Sequence, residues 1–365
     1  MAVTCTALLQ FPEVREGDDV AALTLKALQL NEIQLMDGDI VVVSSKAVSK
    51  AMGLRAPAGE QAAVVLSQTV RIVAERMTPS GVTRIVESVA GPVMTAAGVD
   101  ASNTGDESTV LLLPDDPDAA ATQIRDELQS GWLMHSGRAV TIGVILSDTA
   151  GRPWRNGQTD FALGSAGVRV IDDLRGSSDA DGRLLSVTQR CVADEIAAAA
   201  DLVKGKASGI PAAHIRGLAQ YVREGESTSG ARGLVRTGPE DWFGYGMVEA
   251  VRAALGVEPG SATASEVGIA FIAPEQVATR ARRALRIALL TCPGASGEVD
   301  TATIWLVAPD DYTLGVVATR AEVALRGEGL TATLSHLPAT TLAAKGPLAS
   351  HPRVLIDFSL RMTNR

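Results

Sequence analysis

Residues 140–146 (VTIGVIL) form an almost unbroken apolar run that stops at Ser147-Asp148-Thr149-Ala150-Gly151-Arg152-Pro153-Trp154-Arg155-Asn156-Gly157. A short apolar run closed by turn residues reads as a buried strand. A strand buried on both faces needs helices packed against it, which points to an α/β architecture. In open α/β sheets, ligands bind just beyond the carboxyl ends of the strands. Two further segments repeat the pattern. Ser44-Ser45-Lys46-Ala47-Val48-Ser49-Lys50 follows the apolar run 40–43, and Asp100-Ala101-Ser102-Asn103 follows 93–99. Three polar clusters beyond three apolar segments suggest one phosphate and metal site assembled from three places.

The chain has 365 residues, more than a single core usually serves. Alternation of apolar strands with amphipathic helices runs to about residue 246. We therefore expect a mixed α/β (α+β) domain over 1–246, a linker region over 247–265 and a small C-terminal α/β domain over 266–365. The pattern predicts helices over 18–30, 59–75, 118–129 and 187–203, and strands over 39–44, 140–147, 168–171 and 212–215. In the C-terminal part it predicts helices over 274–292 and 314–326, with strands over 302–308, 331–334 and 354–360. The stretch 225–238, rich in Gly, Ser, Thr and Arg, reads as a loop.

The net charge of −9 argues against general nucleic-acid binding, which needs a basic face. Cys5, Cys191 and Cys292 are far apart and fit neither a zinc site nor a disulfide framework. No apolar stretch approaches the ~20 residues that cross a bilayer, and the N-terminus lacks a signal-peptide pattern. A cytoplasmic location without membrane contact is the expectation.

Asp148 and Thr149 offer adjacent oxygen donors, and Asp100 a third from another segment; hard cations take such donors. The same residues equally suit a turn cap at Asp148 and an Asx turn from Asp100 to Ser102 or Asn103. Lys46 and Lys50 share one face if the chain turns helical after Ser45. There they hold phosphates or simply face solvent. Arg152 and Arg155 flank a turn, placed to neutralise a phosphoryl transition state or to pair with Asp160 and Asp172. Lys204-Gly205-Lys206-Ala207-Ser208-Gly209 suits close backbone approach to a ligand, and serves equally as a helix stop.

Several blocks of the chain together resemble the coenzyme F420:gamma-glutamyl ligases. They are Phe11-Pro12-Glu13-Val14 with Glu16-Gly17-Asp18-Asp19, Asp37-Gly38-Asp39 through Ser49-Lys50-Ala51, and Gly98-Val99-Asp100-Ala101-Ser102-Asn103. Ser147-Asp148-Thr149-Ala150-Gly151-Arg152, Asp181-Gly182-Arg183 and Val192-Ala193-Asp194-Glu195-Ile196-Ala197 follow in the family's order. The resemblance implies a GTP-dependent ligase that adds L-glutamate to the deazaflavin coenzyme precursor and extends its gamma-glutamyl tail. It implies Asp100, Asp148 and Thr149 as ligands of Mg2+ or Mn2+, with K+ a further candidate. Phe11, Pro12, Glu13, Val14, Ser45, Lys50 and Asn103 would contact the guanine nucleotide, joined on residue chemistry by Lys46, Gly205, Lys206, Ser208 and Gly209. Lys50, Arg152 and Arg155 would offset charge developing during transfer. A homodimer is implied, with the site near the subunit interface. One departure stands out: Lys206 occupies the place of a glutamate metal ligand in archaeal members.

The segment after the linker faintly resembles a truncated nitroreductase, roughly half that fold's length, so bound FMN is not expected. Arg280, Arg282, Arg283 and Arg286 on its first helix read as a solvated face. A bifunctional ligase and FMN-dependent reductase, or a non-catalytic carrier of the coenzyme, are the competing readings.

Overall fold

A computed structural model of the chain describes residues 2–78, 81–223, 230–237, 241–267, 276–336 and 352–360. The chain divides into two units, one of residues 1–70 and 86–240, the other of residues 71–85 and 241–365. The first unit is built on a mixed five-stranded sheet. Its strands are β1 (Thr4–Ala7), β2 (Ile40–Ser44), β3 (Gly143–Arg152), β4 (Arg155–Ala166) and β5 (Ala212–Arg216), in the order β1-β5-β2-β3-β4. Only β2 and β3 are parallel, with Ser44 opposite Ser147. The other neighbours are antiparallel.

Four helices of this unit matter for the site: α1 (Val20–Leu30), α2 (Ser45–Ala51), α3 (Pro117–Ser136) and α4 (Val192–Lys204). Alternate residues of a strand face opposite sides of the sheet. Val41, Val43, Val144 and Leu146 accordingly join one core with Leu28 of α1 and Leu128 and Trp132 of α3. Ile40, Val42 and Ile145 join another with Val192, Ile196 and Ala200 of α4. Burying both faces explains why these strands read as unbroken apolar runs. Asp19 caps α1 and Asp116 caps α3, each carboxylate accepting a first-turn N–H. One close approach is at Gly164, where a Cβ would stand 2.2 Å from the carbonyl oxygen of Pro117.

Several elements differ from the sequence reading. Of 59–75, only Gln61–Ser67 is α-helical, and Thr69–Thr78 is a strand; Thr69, Val70, Ile72 and Val73 are β-branched and favour extended backbone. The helix expected from 187 begins at Val192, because Gln189–Cys191 pairs with Ile171–Asp173. β3 runs on to Arg152, five residues past the strand end expected at 147, and returns at Arg155 through a tight turn. Of the loop read over 225–238, residues 225–229 and 238 lie outside the described residues.

The second unit carries a four-stranded antiparallel sheet of β6 (Ser296–Asp300), β7 (Thr303–Val307), β8 (Leu330–His336) and β9 (Arg353–Leu360), in the order β6-β7-β9-β8. Ile304, Leu306, Ile356 and Phe358 of the sheet share a core with helices α5 (Val277–Leu289) and α6 (Asp311–Gly327). Residues 274–275 of the expected first helix lie outside the described residues. The stretch 247–265 carries helices Met247–Ala254 and Ala262–Glu266 and sends Leu255, Val257 and Ala264 into this core. Its Gly, Pro and Ser content reflects turns between packed elements. Arg283 of α5 is buried and donates to Glu328 at 2.8 Å, while Arg282 and Arg286 are exposed. That helix is therefore not a uniformly solvated arginine face. Among the described residues no helix is long and apolar enough to cross a membrane.

Candidate functional site

The parallel pair β2 and β3 ends at one edge of the sheet. The chain leaves β2 directly into α2, so Ser45, Lys46 and Lys50 stand beside Ser147, Asp148 and Thr149. The segments 12–16, 103–106 and 204–211 close around this edge. Together they enclose a cavity of about 810 Å3 whose walls include Glu13, Lys46, Lys50, Asn103, Asp148 and Thr149.

Several charged groups in the wall have defined partners. Lys46 Nζ lies 2.6 Å from Asp100 Oδ2 and donates to Ser102 Oγ at 2.6 Å. Asp100 Oδ1 accepts the Ser102 N–H at 2.6 Å, so the Asx turn is present beside the charge pair. Burial alone would raise the Asp100 pKa; the Lys46 and Ser102 hydrogen bonds outweigh it and hold the carboxyl below its usual range. Lys50 Nζ donates to Glu13 Oε1 at 2.5 Å. Lys206 Nζ donates to Thr149 Oγ1 at 3.2 Å, so an ammonium reaches the site from the loop after α4.

Asp148 stands apart, because the groups that hold its carboxylate are neutral. Ser45 Oγ donates to it at 3.2 Å. Burial pushes its pKa up to about 6, the Thr149 N–H and Ser45 hydroxyl pull it down, and the charges of Asp100 and Asp160 push it up again. Such a carboxylate, turned into a cavity, is the kind of group that a bound cation relieves.

The structure brings together Pro12, Glu13, Val14, Lys46, Lys50, Asn103, Asp148, Thr149, Gly205, Lys206 and Gly209 in the cavity wall. Asp100 stands behind Lys46, and Ser45 is fully buried beneath Asp148. Phe11 packs against the core shared with α1 and α3, and the Ser208 hydroxyl turns back to the Lys204 carbonyl. Arg152 and Arg155 face each other in register at the exposed tip of the β3–β4 hairpin, outside the cavity wall. The reason is the tight turn, which keeps both arginines on strand ends that run out into solvent.

Sequence reasoning offered Asp160 only as a partner for Arg152 or Arg155, and missed both its pairing with Lys204 and the inward course of that lysine. Lys204 Nζ lies 2.8 Å from Asp160 Oδ2, both groups buried. Asp160 also accepts from Ser147 Oγ and Thr149 Oγ1. The available signal was phase: Asp160 falls two residues before buried Ala162 on one strand, so it points inward.

Among the described residues no group of three or more His, Cys, Asp and Glu side chains is arranged to hold a metal ion. Two carboxylates and a hydroxyl remain, Asp148 and Thr149 in the wall with Asp100 behind Lys46. That donor set fits a cation such as Mg2+, which commonly takes one or two carboxylates and completes its shell with substrate phosphates and water.

Comparison with known proteins bears on the same residues. The family model described as F420-0:Gamma-glutamyl ligase matches residues 8–57 and 54–217. A Coenzyme F420:L-glutamate ligase of Halorubrum lacusprofundi is 36% identical over 218 residues, 54% of this chain and 80% of that protein. A Coenzyme F420:L-glutamate ligase of Halobacterium salinarum is 35% identical over 226 residues, 56% of this chain and 83% of its own. One of Methanopyrus kandleri is 35% identical over 247 residues, covering 63% and 93% respectively. All the matched residues of the family model end before 218, so the model leaves residues 241–365 unmatched.

Proposed function

Because this chain belongs to the F420-0:gamma-glutamyl ligase family, we propose that it joins L-glutamate to the carboxylate of a coenzyme F420 precursor, with GTP driving the step at the cavity beside β2 and β3. The observation that carries this reading is the meeting of Asp148, Thr149, Lys46 and Lys50 around one cavity of about 810 Å3. A triphosphate needs cationic side chains beside an oxygen-donor cluster, and these residues offer both.

A carboxylate does not react directly with an amine, because its oxygen is a poor leaving group. In the proposed sequence a precursor carboxylate oxygen attacks the γ-phosphorus of GTP. The bond from that phosphorus to the bridging oxygen breaks, and GDP departs with the electron pair. The acyl phosphate now carries a good leaving group. The glutamate amine, having lost a proton, attacks the acyl carbon, inorganic phosphate leaves, and an amide remains.

Lys46, Lys50 and Lys206 would neutralise phosphate oxygens, exchanging Asp100, Glu13 and Thr149 for them. Pro12, Glu13, Val14 and Asn103, with the backbone of 205–209, would hold the nucleotide. Mg2+ or Mn2+ would sit on Asp148 and Thr149 with Asp100 close by, and when bound it draws charge from the β- and γ-phosphate oxygens. Lys206 already brings a positive charge to Thr149, which favours one metal over two. Arg152 and Arg155 stand too far along the hairpin to serve their own cavity. In the homodimer that we also propose, this exposed tip would be available to a second copy. Light scattering on the purified protein tests the dimer.

The test of the activity is direct. Protein, precursor, glutamate, GTP and Mg2+ or Mn2+ are incubated, and the deazaflavin product is read by mass spectrometry. Gain of glutamyl units, dependent on GTP and metal and lost in Asp148→Ala, is the expected result. A precursor that remains unchanged under all these conditions refutes the reading. Retained coenzyme affinity without turnover in the unmodified protein would mark a carrier instead.

A further inference from the structure

Asp160 has no place in the chemistry above, yet it organises the cavity wall. It stands directly opposite Thr149 in the β3–β4 register and is 4% exposed. Its Oδ1 accepts from Thr149 Oγ1 at 2.7 Å, and its Oδ2 accepts from Ser147 Oγ at 2.8 Å. Lys204 Nζ donates to Asp160 Oδ2 at 2.8 Å and to Ser147 Oγ at 2.7 Å.

Counting protons fixes the direction of this network. A carboxylate only accepts, and a hydroxyl has a single proton to give. Thr149 therefore commits its proton to Asp160 and keeps lone pairs alone for the cavity. The ammonium of Lys206 already uses one of them. Without Asp160 the hydroxyl would be free to rotate and present its proton instead. Lys204 matters because an unpaired Asp160 would carry a naked charge in the wall and compete for any cation.

We propose that Asp160, charge-paired with Lys204, is a positioning residue that locks the Thr149 hydroxyl as an electron-pair donor toward the cavity and so sets divalent-cation affinity without touching the ion. This rests on the metal-dependent ligase reading. Partners that orient a metal ligand from behind typically change affinity by about 10–100-fold.

The experiment is Mn2+ titration of the nucleotide-free full chain, followed by the electron paramagnetic resonance signal of free Mn2+. Asp160→Asn with Lys204→Met removes both buried charges at nearly constant volume, and its amide can turn an N–H toward Thr149. We expect about 10–100-fold weaker Mn2+ binding in this double variant. Thr149→Val should weaken binding to a similar degree, and adding the double variant to it should cost nothing more. Thr149→Ser, which keeps the hydroxyl, should stay close to the unmodified protein. Circular dichroism checks folding, and Asp160→Asn alone stands in if the double variant does not fold. A folded Asp160→Asn, Lys204→Met variant that binds Mn2+ like the unmodified chain overturns the inference, as does a further loss on top of Thr149→Val. Failure of the unmodified chain to bind Mn2+ overturns the metal reading itself, and this inference with it.

Discussion

Lys204 Nζ meets Asp160 Oδ2 at 2.8 Å in the cavity wall, with both side chains 4% exposed. Desolvating two charges is costly, and their attraction offsets that cost only while both are present. Removing one partner leaves the other buried and unpaired. Lys204→Met should therefore cost about 3–5 kcal/mol of stability. Adding Asp160→Asn should restore most of it, because the orphaned charge is gone. Urea unfolding of the single and double variants measures both effects. A single variant as stable as the unmodified protein would show that the pair carries no such energy.

Asp148 makes the opposite prediction. Its pKa is pushed up to about 6 by burial and by the charges of Asp100 and Asp160. A carboxyl whose folded pKa lies above the unfolded value favours the fold while protonated, and that advantage is lost as pH rises through about 6. Asp148→Asn escapes the loss. In EDTA at pH 7 it should be more stable by on the order of 1–2 kcal/mol, and at pH 4 the two proteins should converge. Glutamyl transfer should fall at least about 100-fold in the same variant, since functional carboxylates are commonly kept at a cost in stability. Melting curves at the two pH values, alongside product mass spectra, decide it. Equal melting temperatures at pH 7 would contradict the stability argument.

The parts of the site that the sequence made legible were those fixed by local pattern. Asp148, Thr149 and Lys46 follow apolar runs, and a run that stops in polar residues marks a strand end. The sheet's two covered faces showed in Val41 to Val43 and Val144 to Leu146 for the same reason. Asp160 was not legible, because its pairing depends on a register shift between Leu146 and Ser147 and on a hairpin whose return strand is small and polar. Lys204 read as part of a helix stop or a ligand-facing loop; only the packing of α4 shows that its chain runs inward. Arg152 and Arg155 lie at a hairpin tip because the strand expected to end at 147 runs five residues further, to Arg152. Each gap is a non-local pairing that periodicity does not encode.

The second unit leads to a prediction about flavin. Arg283 and Arg252 both donate to Glu328, at 2.8 Å and 2.7 Å, within a packed helix and sheet layer. Glu328 is 6% exposed, so neither guanidinium is available to an outside phosphate without breaking a buried charge cluster. With Arg283 withdrawn from the arginine face and the segment only about half a flavin fold's length, the purified protein should carry no stoichiometric FMN, read from its visible absorbance and from the supernatant after heat denaturation. A yellow protein with one flavin per chain would contradict this.

The last prediction concerns acid stability at the far end of β2. Asp39 is 1% exposed and accepts from Arg216 through both oxygens, at 2.9 Å and 2.7 Å. His214 Nε2 lies 2.9 Å from Asp39 Oδ2, and the Met36 N–H donates to the same oxygen at 2.9 Å. Burial by itself would raise the Asp39 pKa, but the Arg216 hydrogen bonds, with the His214 ring close by, hold it down to about 2. A depressed folded pKa stabilises the fold above the unfolded value near 4, and that stabilisation is lost as pH falls toward about 2. The contribution is on the order of 2 kcal/mol. Asp39→Asn should be less stable than the unmodified protein at pH 7, with the gap closing between pH 4 and pH 2. Urea unfolding across that range measures it, and a gap that stays constant with pH would show that the Asp39 charge is not what joins β5 to β2.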